Sequence, residues 1–369
     1  MVSAKSHVVD KRTDKNERPM KALITAGGRG TRLRPITYTT NKHLIPLGNK
    51  PMIWYAIEKV VAAGISDIGI NINPEETEIQ KAVGDGSRWG AQITYIKQTG
   101  GPQGLAHIIK VAEKFLDGDS FLFYLGDNIV LADLKSLIRR FERGKLDCLL
   151  ALSHVQDPER FGVPVFENGK LVRVDEKPEN PASNFAVTGI YVYSPAVMKA
   201  VHAIKPSARG ELEISDAHTY LLQHGSRVGY QEITGWWKDT GKPFDILEGN
   251  SLILDQLTGQ DIQGEVSPET VIEGAVCIGK GARITGASVL RGPLVVGEQS
   301  ILHNAYIAPY TSIGNNVSIT NAEVDHSIIL DGVSINTNKH IVDSIIGNNA
   351  QVTDVTLTRD FADTMQQFP

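Results

Sequence analysis

Near its start the chain reads Leu23-Ile24-Thr25-Ala26-Gly27-Gly28-Arg29-Gly30-Thr31-Arg32-Leu33-Arg34-Pro35. The apolar run over residues 22–26 predicts a strand, which passes into a turn with three glycines in four positions. Glycine adopts backbone angles closed to other residues, so consecutive N–H groups of such a turn can point into one concavity and bind phosphate. The three arginines favour this interpretation over a plain tight turn, because a guanidinium group can hold two phosphate oxygens at once. The pattern is neither a P-loop nor Gly-x-Gly-x-x-Gly.

Outward from this turn, residues 20–259 alternate between strand-like and helix-like stretches. This alternation favours an α/β fold with a largely parallel sheet and helices on both faces. Strands are predicted at residues 68–72, 93–96, 121–125, 148–152, 163–166, 171–174 and 187–193. Helices are predicted at residues 51–64, 105–115, 134–143, 213–223 and 244–257. Ligands of open sheets bind at the carboxyl ends of the strands, where both Gly27 and Asp127 are expected to lie.

After about residue 264 the hydrophobic period changes to six residues. The repeated aliphatic positions are Ile272, Ile278, Ile284, Leu290, Val296 and Leu302, followed after one missing residue by Ile307, Ile313 and Ile319. Small residues often stand four places further on, as at Ala282, Ser288, Ser300 and Thr311. The pattern predicts a hexapeptide-repeat β-helix over residues 265–358, with inward-pointing aliphatics and irregular turns over residues 328–346. A sandwich of short strands would not produce a fixed step of six.

The composition limits the class of protein and the partners that are to be expected. The 369 residues are 41% hydrophobic and 21% charged, which is typical of a soluble protein with room for two domains. A formal net charge of -5 and the lack of a long apolar run argue against nucleic acid and membrane partners. Cys148 and Cys277 lie in separate apolar runs, so we expect buried thiols in a reducing, cytoplasmic compartment. Residues 1–19 are predicted to be a disordered extension and residues 359–369 a polar tail.

Two aspartates are candidate metal ligands. Asp127 ends the apolar strand that closes on Leu125-Gly126, and Asp239 follows Trp236-Trp237-Lys238. A single aspartate after a strand is more often a turn or helix cap. Two carboxylates close to a triphosphate suit Mg²⁺, which takes one or two carboxylates together with substrate phosphates. The joint occurrence with the glycine turn carries this prediction.

Three further cations are candidate phosphate ligands: Lys42, Lys177 and Arg209. Each of them alone is most simply a solvated surface charge. Together with Arg32 they could neutralise two phosphate groups that face each other.

These motifs closely resemble those of the sugar-phosphate nucleotidylyltransferases, and most closely the long-form glucose-1-phosphate thymidylyltransferases. The resemblance covers residues 22–257 and rests on ten motifs in sequence order. They are residues 27–33, Lys42 with Pro46, and residues 84–90, 104–106, 125–128, 161–163, 176–178, 187–189, 209–213 and 239–241. The resemblance implies a Rossmann-like mixed sheet in the first domain and a left-handed β-helix after it, as in the long form.

The family's reaction joins a sugar 1-phosphate to a nucleoside triphosphate, with Mg²⁺ as cofactor and pyrophosphate as the second product. The resemblance implies that Arg32 and Lys42 hold the triphosphate. It likewise implies Asp127 and Asp239 as Mg²⁺ ligands. The implied nucleotide contacts further include Gly27, Gly28, Gly30, Thr31, Gln98, Gly104 and Asp127. The implied sugar-phosphate contacts are Asn128, Gly162, Glu176, Lys177, Val187 and Arg209. No catalytic base is needed, because the attacking phosphate is already an anion.

The sequence motifs indicate the base of the nucleotide less clearly than they indicate the reaction. Gln98 and Gly104 match the place where the family reads a pyrimidine edge, and Leu105-Ala106 after Gly104 resembles the thymidylyl pattern. A pocket discriminates thymine from uracil by only about 1–3 kcal/mol, so dTTP and UTP both remain candidate substrates. Two departures from the family pattern are His43, in place of a glutamine, and a loop between Gln98 and Gly104 that is one residue longer than in short-form enzymes.

Two other classes of function remain open. A sugar acyltransferase is one, because hexapeptide β-helices often belong to such enzymes, and His303, His326 and His340 could supply a base. A non-catalytic regulatory subunit is the other, although such relatives typically lack a metal or phosphate residue. We therefore interpret the β-helix as a regulatory or oligomerisation module and expect a homo-oligomer.

Overall fold

The computed structural model describes residues 19–101 and 103–354. The predicted extension, apart from Pro19, and the predicted tail lie outside these residues. The secondary structure forms an α/β unit over residues 21–254 and a β-helix over residues 260–353. The predicted domain limits at residues 259 and 265 stay predictions. Within the described ranges, no helix is both long and apolar enough to cross a membrane.

The α/β unit contains thirteen strands and eight α-helices among the described residues. The strands are β1 (Lys21–Thr25), β2 (Pro46–Leu47), β3 (Lys50–Pro51), β4 (Asp67–Ile72), β5 (Gln92–Lys97), β6 (Phe121–Leu125), β7 (Asn128–Val130), β8 (Cys148–His154), β9 (Gly162–Glu167), β10 (Lys170–Glu176), β11 (Phe185–Tyr193), β12 (Val228–Glu232) and β13 (Trp237–Asp239). The helices are α1 (Met52–Ala62), α2 (Glu78–Val83), α3 (Leu105–Val111), α4 (Glu113–Leu116), α5 (Leu134–Gly144), α6 (Val197–Ala203), α7 (Ile214–Gln223) and α8 (Pro243–Leu254). Short 3-10 turns at Thr31–Leu33 and Lys42–Leu44 carry two of the predicted phosphate ligands.

Nine strands form one mixed sheet, which confirms the mixed α/β class. The order is β10-β9-β11-β6-β1-β4-β5, with β8 beside β11 and β12 beside β8. Strand β1 pairs in parallel with β4 and β6, whereas β11 runs antiparallel to β6 and β8. The parallel part is the part that carries the glycine turn.

Two hydrophobic clusters lie on opposite faces of this sheet. Ile24 packs in the cluster that includes residues of α1 and α5, and its neighbour Leu23 packs in the cluster with residues of α3, α6 and α7. Alternate side chains of a strand point to opposite faces, so the apolar run of β1 packs against the helices on both faces of the sheet. Both side chains are fully buried.

The carboxyl ends of β1 and β6 lie side by side, because Thr25 pairs with Leu125. The chain then makes a close approach at Gly126, whose N–H bonds to the Thr25 carbonyl at 3.0 Å. A Cβ at position 126 would lie 2.3 Å from that carbonyl oxygen, so only glycine fits. This packing brings Asp127 to the edge of the sheet next to the glycine turn.

The β-helix is built from short parallel strands in three sheets. They are β14 (Gln260–Ile262), β15 (Glu265–Val266), β16 (Val271–Glu273), β17 (Val276–Ile278), β18 (Arg283–Thr285), β19 (Val289–Arg291), β20 (Leu294–Val296), β21 (Ile301–His303), β22 (Tyr306–Ile307), β23 (Thr311–Ile313), β24 (Ser318–Thr320), β25 (Glu323–Asp325), β26 (Ile328–Ile329), β27 (Ser334–Asn336), β28 (His340–Val342), β29 (Ile345–Ile346) and β30 (Gln351–Thr353). Each strand pairs with the strand three further along the chain.

The predicted aliphatic positions point into this β-helix. From Ile278 to Ile319 every one of them is at most 3% exposed, and Ile272 is partly buried at the open end. Burial of each such side chain contributes about 1.5–3 kcal/mol, which replaces the helix layer that this unit lacks. The strands that follow residue 328 belong to the same three sheets as the earlier ones. Their irregularity is a step of five residues, from Ile341 to Ile346.

Candidate active site

Strands β7 and β13 form a short antiparallel pair beside the sheet edge. Asp239 lies opposite Asn128, the residue after Asp127. Thr240 is fully buried, and its hydroxyl and its N–H both donate to the Asp127 carbonyl, at 2.7 and 3.1 Å. The two predicted metal ligands, which are 112 positions apart in the sequence, therefore meet at one place.

The Asp127 carboxylate is held as an anion. Lys42 Nζ contacts Oδ2, and the Asn128 side chain donates to Oδ1 at 3.0 Å. Burial alone would raise the pKa of Asp127, but Lys42, His43 and these hydrogen bonds together keep that pKa well below its usual range. Burial lowers the pKa of His43 to about 4, so its imidazole is neutral at neutral pH.

The pKa of Asp239 is shifted in the opposite direction from the pKa of Asp127. Burial, and then the negative charge of Asp127, raise the pKa of its carboxyl group. Two neighbouring carboxylates that repel each other fit a divalent cation, which would favour the charged form of both. The described residues contain no group of three or more His, Cys, Asp or Glu side chains placed to hold a metal. A metal at this pair would therefore take its other ligands from phosphate or water, as Mg²⁺ commonly does.

The glycine turn lies against the same centre. Arg32 and Asp239 both approach Gly241: a Cβ there would lie 3.5 Å from Arg32 Nη1 and 2.9 Å from Asp239 Oδ2. Gly30 has a φ of 59°, and a Cβ at this position would meet Thr37 Cγ2 at 2.8 Å. The turn needs glycine at position 30, and the Thr31–Leu33 turn that follows presents Arg32.

Gln98 approaches the glycine turn from β5. It is 5% exposed, and its Oε1 would lie 3.6 Å from a Cβ at Gly27. Its Nε2 lies 3.0 Å from His107 Nδ1. Gly104, with a φ of 91°, packs so closely on Leu212 that a Cβ would lie 2.4 Å from the Leu212 carbonyl oxygen. Gln98 is thus beside the predicted triphosphate residues, whereas Gly104 supports the segment that carries Arg209.

Three predicted sugar contacts stand in one row across the sheet. Gly162 of β9 pairs with Glu176 of β10 on one side and with Val187 of β11 on the other. A Cβ at Gly162 would lie 2.9 Å from the Ser215 hydroxyl oxygen. Glycine at this position leaves room in front of the row.

Lys177 and Arg209 converge on Glu176. The Glu176 Oε1 atom lies 3.2 Å from both Lys177 Nζ and Arg209 Nη2. Arg209 also pairs with the buried Glu213 at 2.8 Å, while Ser215 donates to Glu176 Oε2 at 2.6 Å. The arrangement places two cations at the end of the sugar row, each with donors free to meet a phosphate.

A cavity of about 330 Å³ joins these groups. Of the predicted residues it is lined by Arg32, Asn128, Gly162, Glu176, Lys177, Val187 and Asp239. Lys42 and Asp127 do not line it, but Asp127 accepts a hydrogen bond from the lining residue Asn128. The other predicted residues do not line this cavity; they are Thr31, Gln98, Gly104, Arg209 and the glycines of the turn.

Sequence reasoning missed Arg160, which also lines the cavity. Its guanidinium group donates to Asp157 at 2.5 Å and to Asp245 at 2.8 Å. Asp245 is 3% exposed and belongs to the first turn of α8. The available signal was the position of Arg160 just before Phe161-Gly162, but its partner Asp245 is 85 residues away.

The family model described as "Nucleotidyl transferase" matches residues 21–256, which include the whole α/β unit. The chain belongs to the nucleotidyl transferase family. It is 43% identical to the glucose-1-phosphate thymidylyltransferase of Streptomyces antibioticus over 90% of this chain and 94% of that protein. It is 41% identical to the low-salt glycan biosynthesis nucleotidyltransferase Agl11 of Haloferax volcanii, with the same two shares covered.

A solved structure agrees with this nucleotidyl transferase fold. A Bacillus anthracis protein described as a glucose-1-phosphate thymidylyltransferase, in complex with sucrose, is 40% identical and superimposes with a TM-score of 0.61. The match covers 65% of this chain and 97% of that chain. The predicted family resemblance is therefore confirmed, and the chain is a nucleotidyltransferase.

The three histidines considered for acyl transfer each contact a polar side chain of this nucleotidyltransferase. His303 contacts Thr285 at 3.0 Å, His340 lies 4.0 Å from Asp325, and His326 contacts Ser251 of α8 at 3.0 Å. They belong to different strands or turns of the β-helix.

Proposed function

We propose that this nucleotidyltransferase transfers the thymidylyl group of dTTP to glucose 1-phosphate and forms dTDP-glucose and pyrophosphate. The 43% identity to a glucose-1-phosphate thymidylyltransferase over nearly the whole chain supports this substrate pair. The observation that carries the proposal is the cavity that Arg32, Asp239 and Lys177 line together, with Asp127 held by Lys42 beside Asp239. Arg32 and Lys42 lie on the side of the glycine turn, and Lys177 and Arg209 lie at the end of the sugar row.

In the proposed reaction, an oxygen of the sugar phosphate forms a bond to the α-phosphorus of dTTP. The bond from that phosphorus to the bridging oxygen breaks, and pyrophosphate leaves with the electron pair. Lys177 and Arg209 orient the attacking phosphate, while Arg32 and Lys42 hold the triphosphate and neutralise the charge that builds up on the leaving group. Glu176, Gly162, Val187 and Asn128 are proposed to position the glucose.

Asp127 and Asp239 would hold Mg²⁺. When bound, the ion supplies positive charge that stabilises the phosphate oxygens during transfer. The two carboxylates then have an ionic partner, which favours the charged form of Asp239 against the effect of Asp127.

The base is proposed to lie next to Gln98, beside the glycine turn. An amide offers both a donor and an acceptor, and a pyrimidine edge carries the complementary groups. The glycines at positions 27 and 28 leave the backbone open for the nucleotide. UTP differs from dTTP only by the missing methyl group on the base and by a 2′-hydroxyl on the ribose, so we rank UTP as the second substrate.

The test is pyrophosphate release from glucose 1-phosphate and Mg²⁺ in parallel assays with dTTP, UTP, ATP and GTP. The proposal predicts the highest kcat/KM with dTTP. A preference for UTP would keep the reaction and change the enzyme to a uridylyltransferase. Activity with the purine nucleotides alone, or with none of the four, would overturn the proposal.

We also propose that the protein forms a homo-oligomer through its β-helix. Support comes from apolar side chains on the outside of that unit, where Val271 and Val342 are each 46% exposed. Light scattering of the full chain tests this proposal: a mass at a multiple of the chain mass supports it, and a monomer contradicts it.

A further inference from the structure

Asn250 lies in α8, and its side chain is fully buried. Its Oδ1 accepts one hydrogen bond from the Gly48 N–H at 2.8 Å and another from the Ser312 hydroxyl at 2.7 Å. Its Nδ2 donates to the Tyr310 carbonyl at 3.0 Å. One amide thus connects three segments that are distant in sequence: α8, the β2–β3 hairpin and the β-helix.

A second hydrogen bond connects the hairpin to the β-helix. Asn49 donates through Nδ2 to the Ile313 carbonyl at 2.6 Å, next to the residues that Asn250 holds. Gly48 has a φ of 53° and packs on α8, since a Cβ there would lie 2.9 Å from Ile253 Cγ2. The hairpin begins two residues after the Lys42–Leu44 turn, which presents Lys42 to Asp127.

Apolar side chains fill the space around these hydrogen bonds. We call this group the junction cluster; its buried members are Leu33, Ile45, Leu47, Met52, Ile129, Ile246, Leu247, Ile328 and Leu330. Leu33 directly follows Arg32, and Ile328 and Leu330 come from the β-helix. The side of the β-helix is therefore part of the packing that supports the glycine turn.

The other end of α8 adjoins the proposed metal site. The helix begins at Pro243, four residues after Asp239. In its first turn Asp245 accepts from Arg160 at 2.8 Å and pairs with Lys238 at 3.3 Å. A displacement of α8 would therefore move the segment that carries Asp239 relative to the turn that carries Lys42.

We infer that Asn250 is a positioning residue for the nucleotidyl transfer, which locks α8 and the hairpin to the β-helix and so fixes the Asp239 segment relative to Lys42. This inference rests on the proposed roles of those two residues in the reaction. Loss of the Asn250 side chain leaves the Gly48 N–H and the Tyr310 carbonyl without these partners in a partly buried place. The β-helix thereby contributes to the geometry of the reaction, independently of any role in oligomerisation.

The test compares Asn250→Ala with Leu302→Ala in the full chain. Leu302 packs inside the β-helix and outside the junction cluster, so its truncation destabilises that unit without touching α8. Both variants are assayed well below their melting temperatures. Small displacements of reacting groups cost up to about 100-fold in rate, so we expect kcat to fall about 10- to 100-fold in Asn250→Ala. The KM for glucose 1-phosphate should change little, because the sugar row lies on β9–β11, and Leu302→Ala should keep the wild-type kcat.

Amide hydrogen exchange gives a readout that does not depend on activity. Asn250→Ala should exchange faster than wild type over residues 46–51 and 239–249, and Leu302→Ala should not. If Asn250→Ala does not fold, the double variant Asn49→Ala/Ser312→Ala removes two ties from outside α8 and is expected to show the same pattern. Wild-type kcat together with wild-type exchange in these segments would overturn the inference. A wild-type protein without any nucleotidyl transfer would refute the proposed function, and the exchange experiment would still decide whether Asn250 holds the segments together.

Discussion

Trp237 donates its indole N–H to Asn128 Oδ1 at 2.7 Å, and Asn128 in turn donates to Asp127 Oδ1 at 3.0 Å. Because Asn128 is only 1% exposed, this chain of hydrogen bonds fixes the orientation of the Asp127 carboxylate. Trp237 belongs to the same short strand as Asp239. The strand that carries one carboxylate therefore orients the other, which prepares the pair to act as one site.

Asp127→Asn and Asp239→Asn should each lower kcat/KM by at least about 100-fold, since a bound metal ion contributes several kcal/mol to stabilisation of the transition state. Steady-state pyrophosphate release at saturating Mg²⁺ measures the effect. Asp133→Asn is the matched control, because Asp133 caps α5 and asparagine caps a helix equally well. Full Mg²⁺-dependent activity in both variants would show that Asp127 and Asp239 do not bind the metal ion.

Arg209→Ala should raise the KM for glucose 1-phosphate by about 10-fold or more, because a charge-assisted hydrogen bond to the phosphate is lost. The KM for dTTP should stay close to the wild-type value. Arg173→Ala is the control: Arg173 is exposed and pairs with Asp175 of the same strand, and, unlike Arg209, it makes no contact with Glu176. Initial-rate kinetics with each substrate varied in turn distinguish the two constants. An equal rise of both constants would contradict a contact of Arg209 with the sugar phosphate.

The parts of this protein that follow a local rule could be predicted from the sequence. The strand before Gly27 and the strand before Asp127 are apolar runs, and both proved to be central strands of the sheet. The step of six residues identified the inward side chains of the β-helix, because each turn repeats the same environment. In contrast, the short helix α6 follows Pro195 without a clear period and was missed.

The connections between distant segments could not be predicted in this way. Arg160 is held by Asp245, and Asn250 by Gly48 and Ser312, across separations of 62 to 202 residues. Each of these residues is an ordinary polar side chain in its local sequence. Their importance arises only when α8 packs against the sheet edge at one end and against the β-helix at the other, which no local pattern encodes.

Leu302→Ala should lower the free energy of unfolding of the β-helix by about 2–5 kcal/mol, because Leu302 is fully buried in its core. The adjacent Ile301 is 37% exposed on the same strand, so Ile301→Ala should change the stability by less than about 1 kcal/mol. Chemical denaturation followed by circular dichroism compares the two variants. Equal destabilisation by both would contradict the inward orientation of position 302.

Acid should destabilise the α/β unit through His218. This side chain is fully buried in α7 with its Nε2 atom 2.6 Å from the Tyr193 hydroxyl, and burial lowers its pKa from 6.5 to about 3. Below pH 6.5 the unfolded chain therefore binds a proton that the folded protein does not bind. The free energy of unfolding of the wild type should fall by up to about 1.4 kcal/mol per pH unit from this group as the pH drops from 6.5 towards 3.

His218→Phe removes the titrating imidazole from both states. The variant is expected to be less stable than the wild type at pH 7, because the Tyr193 hydroxyl loses its partner. The difference in the free energy of unfolding should then shrink as the pH is lowered, since the acid-dependent loss affects the wild type alone. Urea denaturation of both proteins at pH 7, 6 and 5 measures this difference, and the contributions of all other titrating groups cancel. A difference that stays constant over this range would mean that His218 already binds a proton in the folded protein near pH 6, in contradiction to its burial.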